Sequence, residues 1–352
     1  MDHTISKYDY LGGSVGICND GSRYVVAAPG INLKTYKLRG DNDVNLSDIP
    51  NGCVYVFYND TVQKIEPPSK ISRDGKKDRF GTCSRISGDG NTIAIGSYNA
   101  ERVYVYKYQN NQFELVHELS IEERTKVFGY NLWISGDGND IVVGAPEVPQ
   151  QFHQEADGEW IIHGQVFHYR NGELAQTIMP NEESDDLTPG HFGRAIWLSD
   201  DAQTLMIGSM GNATVYEFLY TDGQFVQSRA IRGELESGFG NSVSRDGDDY
   251  LIGAFLDGGY ALYNDTKITG SEGYHDSYGS GRQFGGSVKL RHGKIAIGSF
   301  RAHDSWFGYS VDIFPNGDVL VGAPIGDSFK GSYQILTHDE AIAAGLYLHP
   351  QP

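Results

Sequence analysis

Aspartates are the first residues in this chain whose type and spacing could do chemistry. Ser87–Asn91 and Ser135–Asn139 both read SGDGN, Asp200 and Asp201 are adjacent, and Asp246, Asp248 and Asp249 fall within four positions. Carboxylates at alternating positions of a short loop are how calcium gathers its six to eight oxygen ligands. The SGDGN stretches offer one acid each, Asp89 and Asp137, without flanking carboxylates, and the two richer groups lack the spacing. Tight hairpin turns, in which Gly and Asp tolerate positive φ, are therefore the favoured reading. No metal ligand and no cofactor is assigned, with Ca²⁺ disfavoured. Catalytic patterns are thinner still: no GxSxG, HExxH, P-loop or dinucleotide fingerprint stands in its required context. His153 and His163 flank an acidic loop at a spacing that matches no standard site, and Glu182-Glu183 with Asp185-Asp186 reads as a solvated turn. Two acids from distant segments could still converge, as in glycosidases. The expectation is nevertheless a protein that is not an enzyme.

Composition narrows the partners. A formal net charge of −18 over 352 residues counts against nucleic acid, whose phosphates need clustered Lys and Arg, and against anionic membrane surfaces. Cys18, Cys53 and Cys83 are odd in number and far apart, so they read as buried thiols rather than a disulfide framework or a CxxC site. No apolar run is long enough for a membrane span. The first residues, MDHTISKYDY, lack the basic and apolar regions of a signal peptide. Localisation is left unassigned, with an extracellular surface or a virion open.

The elements that must position any site come from a repeat. Forty-five glycines with 12% aromatics suggest many short strands and turns. Units that begin with an aromatic or leucine followed by Gly start at Leu11, Phe80, Phe128, Phe192, Phe239, Phe284 and Phe307. In each, the positions four and six after the aromatic are mostly apolar, as in Leu132/Ile134 and Val288/Leu290, which places them on one face of a strand. A Gly/Asp/Asn turn and a β-branched second strand follow, the latter ending in Gly-Ala or Gly-Ser in six units, for example Gly144-Ala145 and Gly208-Ser209. The third position after the aromatic is always small or short (Ser14, Cys83, Asn131, Ala195, Ser242, Ser287, Ser310), which predicts strands crowded around an axis. Val- and Tyr-rich third strands and more polar fourth strands complete a four-stranded unit repeating about every 45–50 residues, the signature of propeller blades.

On these residues the chain resembles the FG-GAP repeats of integrin-α-type seven-bladed β-propellers. Phe128-Gly129 with Gly144-Ala145-Pro146, and Phe307-Gly308 with Gly322-Ala323-Pro324, match best; Leu11-Gly12 with Ala27-Ala28-Pro29 is a degenerate copy. The resemblance implies an all-β fold, a single seven-bladed propeller over residues 1–352 with a C-terminal tail at 337–352. The chain departs from the family in lacking its longer DxDxDG-type calcium loops. It departs again at the sixth repeat, where Phe284 and Phe307 are only 23 residues apart. That blade is expected to be locally truncated, leaving Lys294–Ser299 as an open edge for the tail or a partner's strand to cover. Residues 3–10, HTISKYDY, are expected to close the ring as an outer strand.

Two large insertions, at residues 30–51 and 147–163, share one topological position between second and third strands, and the loops that link blades emerge on the same face. In integrin-like propellers this is the ligand-binding face. Tyr36, Arg39, Phe152, Trp160, Tyr274 and Tyr278 are its candidate binding anchors, because buried aromatics and Arg carry most interface energy. Trp133 and Trp197 share the column five after the aromatic and are expected to pack between blades rather than to stack on a sugar. The function expected is a non-catalytic binding or structural propeller that mediates protein-protein or adhesion-type interactions through its loop-rich face, with a protein or glycan as partner, in a cell-surface or virion assembly. A glycan-binding lectin and a polysaccharide-acting enzyme with its site at the channel mouth are the competing classes.

Overall fold

The computed structural model describes residues 9–30, 51–68, 78–121, 127–146, 149–154, 160–162, 164–181, 190–256, 259–269, 283–300, 308–324, 331–343 and 346–350. Its strands form antiparallel sheets whose innermost members are Ser14–Ile17, Ser84–Ile86, Asn131–Ile134, Phe192–Leu198, Phe239–Asp246, Gln283–Arg291 and Ser310–Ile313. Each inner strand neighbours the next, and Ser310–Ile313 neighbours Ser14–Ile17, so the row of sheets closes on itself around an axis. The fold is an all-β propeller. Its apolar core lies in the gaps between neighbouring sheets. Phe128, for instance, packs with Val103 and Val105 of the preceding sheet and with Leu132 and Phe167 of its own. The gap between last and first sheets is filled in the same way, by Leu320 against Leu11, Val15 and Val26.

The aromatic-Gly and Gly-Ala/Ser pairs fit each other across every such gap but that between the first and second sheets, where Ala27 stands in place of the Gly. The Gly after the aromatic sits at positive φ in all repeats (Gly193 at 92°, Gly240 at 84°), bulging the inner strand so that its carbonyl projects backward. That carbonyl meets the Gly of the preceding sheet's second strand so closely that a Cβ on Gly208 would lie 2.0 Å from the Gly240 oxygen. Gly322 stands in the same relation to the Gly12 oxygen, at 2.1 Å, which makes ring closure one more instance of the same contact. The short third-position side chains then stitch neighbouring inner strands: Ser242 Oγ donates to the Gly285 carbonyl, Ser287 to Gly308 and Ser310 to Gly12, at 3.0, 2.7 and 2.9 Å.

Six sheets are built from strands local in the chain, five with four strands and the one beginning at Ser310 with three. The repeats predict seven such blades. The repeat at Phe284 contributes only the hairpin Gln283–Arg291/Lys294–Phe300, because its outer strands have no local sequence. Its second strand pairs instead with Tyr347–Pro350, over Lys294–Ile297. The chain reaches that edge through the helix His338–Ala343, started by a reciprocal cap between Thr337 and Glu340. Ala341 and Leu346 bury themselves against Ala296 and Val321 on the way. That part of the edge is taken by the protein's own tail, so the alternative of a partner's strand there is set aside. The N-terminal closing strand falls mostly on residues outside the described ones; Leu11 does form a parallel bridge with Gly331. The inserted strands Pro149–Gln154 and Trp160–Ile162 pair as a separate hairpin. No helix among the described residues is long and apolar enough to cross a membrane.

Candidate functional site: the axial channel

The inner strands enclose an axial channel of two chambers, about 290 Å³ toward the strand starts and about 710 Å³ toward the hairpin turns. Arg85, Trp133, Lys289 and Asp312 line both and form the waist. All four belong to the column five after the aromatic, whose alternation aims it at the axis. Asp312 is buried and binds Lys289 Nζ at 3.1 Å and Arg291 Nη1 at 3.5 Å, while accepting the Ile17 and Ile313 backbone N–H groups at 2.9 Å. Burial alone would raise its carboxyl; Lys289 and Arg291 override that and hold it below the usual range. Burial lowers Lys289 to about 8, helped by Arg291 and Arg85, against the pull of Asp312. The Arg85 guanidinium and the Lys289 ammonium lie 4.9 and 4.8 Å from the Trp133 ring centroid. Trp133 also packs against the core between its own sheet and the next, as Trp197 does one gap further on. Their half-buried rings serve packing, in line with the expectation.

At the turn-side end Asp89, Asp137 and Asp201 are spent on the turns themselves. Asp137 accepts from Ser135 Oγ at 2.7 Å and from the Asn139 backbone and amide at 3.0 and 2.7 Å, and Asp89 repeats the arrangement with Ser87 and Asn91. Burial would raise Asp137, but these donors lower it; Asp201 is lowered by Ser199 and Gln203. Backbone hydrogen bonds run from turn to turn, Asn19 to Gly88, Asp89 to Gly136 and Gly136 to Asp200, each at 2.8 Å. Asp200 also accepts from Asn19 Nδ2, whose own Oδ1 receives Arg291 at 2.7 Å. These contacts tie five sheets together at the rim, and among the described residues no group of three or more potential metal ligands converges.

The loop-side chamber differs. Its rim carries Arg79, Tyr98, Tyr130, Arg194, Asn241 and Tyr309. Arg79 donates to the Tyr98 hydroxyl at 2.6 Å, and Arg194 donates from Nε to Asn241 Oδ1 at 3.2 Å. Their guanidinium carbons lie 5.2 Å from the Tyr98 ring and 5.1 Å from the Tyr130 ring. Burial and the neighbouring Tyr130 raise the Tyr309 phenol, keeping it a protonated donor. Strand direction puts this chamber on the face where second strands lead into third strands and blade links emerge, the face of the large insertions.

The sequence-derived anchors are not brought together here. Tyr36, Arg39, Tyr274 and Tyr278 lie outside the described residues. Phe152 and Trp160 stand in the inserted hairpin, where Gln154 pairs with Trp160, and their side chains also lie outside what is described. Four of the six rim residues fall in one column of the repeat, two after the aromatic (Gly13, Thr82, Tyr130, Arg194, Asn241, Gly286, Tyr309), whereas Arg79 and Tyr98 stand outside it. Periodicity hid it, since the positive-φ glycine before it breaks the strict alternation. Away from the channel, His168 is buried between two sheets with Nε2 2.6 Å from Asp140 Oδ1, and Arg170 joins the same carboxylate at 2.8 Å.

No family model matches the chain, and no curated protein matches it either. Among solved structures it is similar to the Myceliophteria thermophila Cps50 (Swd1) beta-propeller domain, with a TM-score of 0.53 over 82% of this chain and 80% of that one, at 8% identity. At that identity the likeness speaks to the fold alone, and it agrees with the closed ring of sheets: this chain is a β-propeller.

Proposed function

We propose that the chain is a non-catalytic binding module: an FG-GAP-type propeller of integrin-α-like, seven-bladed construction that presents its loop-rich face to a protein partner. The hairpin from Gln283 with its C-terminal strand is counted as the seventh blade. The observation that carries the reading is an asymmetry along the axis. The turn-side and waist carboxylates named above are engaged in turns or ion pairs, whereas the loop-side rim gathers cations and tyrosines on the face where second strands lead into third strands. Chemistry at the channel would want acids or His left unspent, and the engaged Asp89, Asp137 and Asp312 give little room for it. The module acts without a resident metal or cofactor, within a cell-surface or virion assembly.

The test is the size of the native assembly. Replacing residues 31–50 by a short Gly-Ser turn should leave the circular dichroism unchanged and shift the protein from a large native complex toward the free chain. A complex unaffected by this and by the equivalent change at 147–163 would defeat the reading, and glycan-array binding without a protein partner would move it to the lectin class.

A further inference from the structure

The loop-side chamber concentrates positive charge in a chain of net charge −18. Among the described residues neither Arg79 nor Arg194 has a carboxylate within ion-pairing distance, although Arg102, Arg170, Arg229, Arg245 and Arg291 all do. Arg79 Nε is buried with no hydrogen-bond partner. The Arg194 guanidinium makes one hydrogen bond, from Nε, and forms no other to a described residue. A half-buried guanidinium without a counter-ion has lost part of its water without regaining charge compensation, a cost that an anionic ligand would relieve. Among the described residues the only acid lining the chamber is Asp312, already bound by Lys289 and Arg291 at the waist.

We propose that this chamber is a receptor for a carboxylate, delivered as an acidic side chain by the partner of the loop-rich face. A guanidinium presents a planar fork that matches a carboxylate's two oxygens. Tyr98, Tyr130 and Tyr309 wall the recess with planar rings, Tyr98 and Tyr130 lying 5.8 Å apart, and the Tyr309 hydroxyl adds a donor. A volume of about 290 Å³ suits a group of amino-acid size. A phosphate would be the poorer guest, because its tetrahedral oxygens need donors on all sides and its second charge is further disfavoured by the acidic chain. This inference rests on the binding-module reading, and its test is independent of any partner.

The experiment titrates the full chain with N-acetylglutamate N-methylamide, followed by tyrosine fluorescence and calorimetry. The glutamine analogue and inorganic phosphate serve as comparisons. Saturable binding with a dissociation constant on the order of 1 mM is expected, with none for the amide. Arg79→Gln and Arg194→Gln should each weaken it about tenfold. Should either glutamine variant misfold, Arg79→Lys and Arg194→Lys keep the charge, lose the fork and should still weaken binding about threefold to tenfold. No saturation by about 50 mM, equal binding of the amide, tighter binding of phosphate, or unchanged affinity in folded variants would overturn the site. A native assembly that survives Arg79→Gln/Arg194→Gln while the loop replacement dissolves it sinks the carboxylate receptor alone. Probe binding with an assembly indifferent to the loops sinks the partner reading alone.

Discussion

At the scale of single residues, Asp312 decides most. It neutralises two cations at the waist and pins the last inner strand to the first through the Ile17 N–H, across 295 positions of sequence. Asp312→Asn would leave Lys289 and Arg291 buried together, so a loss of about 3–5 kcal/mol in chemical denaturation is expected. The pH behaviour follows from signs. Asp20, Asp137, Asp201 and Asp312 are all held below their ordinary value of 3.8. Each contributes stability that is present above that value and is lost as pH falls through its folded one, so unfolding midpoints should drop steeply below about pH 4. Lys289 works in the opposite sense. Its pKa is lowered from 10.5 to about 8, so the cost of burying its charge is in place below 8 and is relieved as pH rises toward 10.5. The stability difference between wild type and Lys289→Met should therefore move in favour of wild type from pH 7.5 to 9.5. A flat difference would mean that Lys289 does not release its proton in that window. None of this was legible beforehand: Lys289 and Asp312 could be read as members of one column, but which column members touch depends on the ring's diameter.

Sheets and turns were far more readable, for a physical reason. The aromatic-Gly and Gly-Ala/Ser pairs exist because a backbone carbonyl of one sheet enters the space of a missing Cβ in its neighbour, so the packing constraint is written as residue identity. Gly208→Ala should destabilise by about 2–3 kcal/mol or more, through overpacking against the Gly240 carbonyl. Gly223→Ala, with open space but φ of 88°, should cost only about 1–2 kcal/mol. Equal costs at the two sites would show that the inter-sheet contact is looser than its geometry. The tail was harder to read. The pairing of Tyr347–Pro350 with Lys294–Ile297 is non-local, and both Lys294–Ser299 and the tail offered other partners. Ending the chain after Leu346 should expose the Ile295–Ile297 edge; light scattering is expected to show concentration-dependent association that the full chain lacks. The six candidate anchors, four in the insertions and two in a blade link, fall where the fold constrains sequence least, while Arg194 sits on an inner strand and Tyr130 immediately before one.

Taken as a whole, the molecule sets a short-range attraction against a long-range repulsion. Two guanidiniums without a carboxylate partner among the described residues line the rim of a recess in a body bearing eighteen excess negative charges. An anion approaching from afar meets a barrier, and only within the recess does it find opposite charge. Salt screens charges separated by more than about 10 Å at 0.1 M, and it screens buried contacts much less. The encounter rate of an acidic guest should accordingly rise with ionic strength while its departure rate barely changes, the reverse of the usual steering pattern. Stopped-flow traces at rising salt would read that sign directly. In kinetic terms the acidic surface acts as a filter on residence: it turns away casual anions at low ionic strength and leaves the pocket to guests that bring further contacts to carry them past the rim.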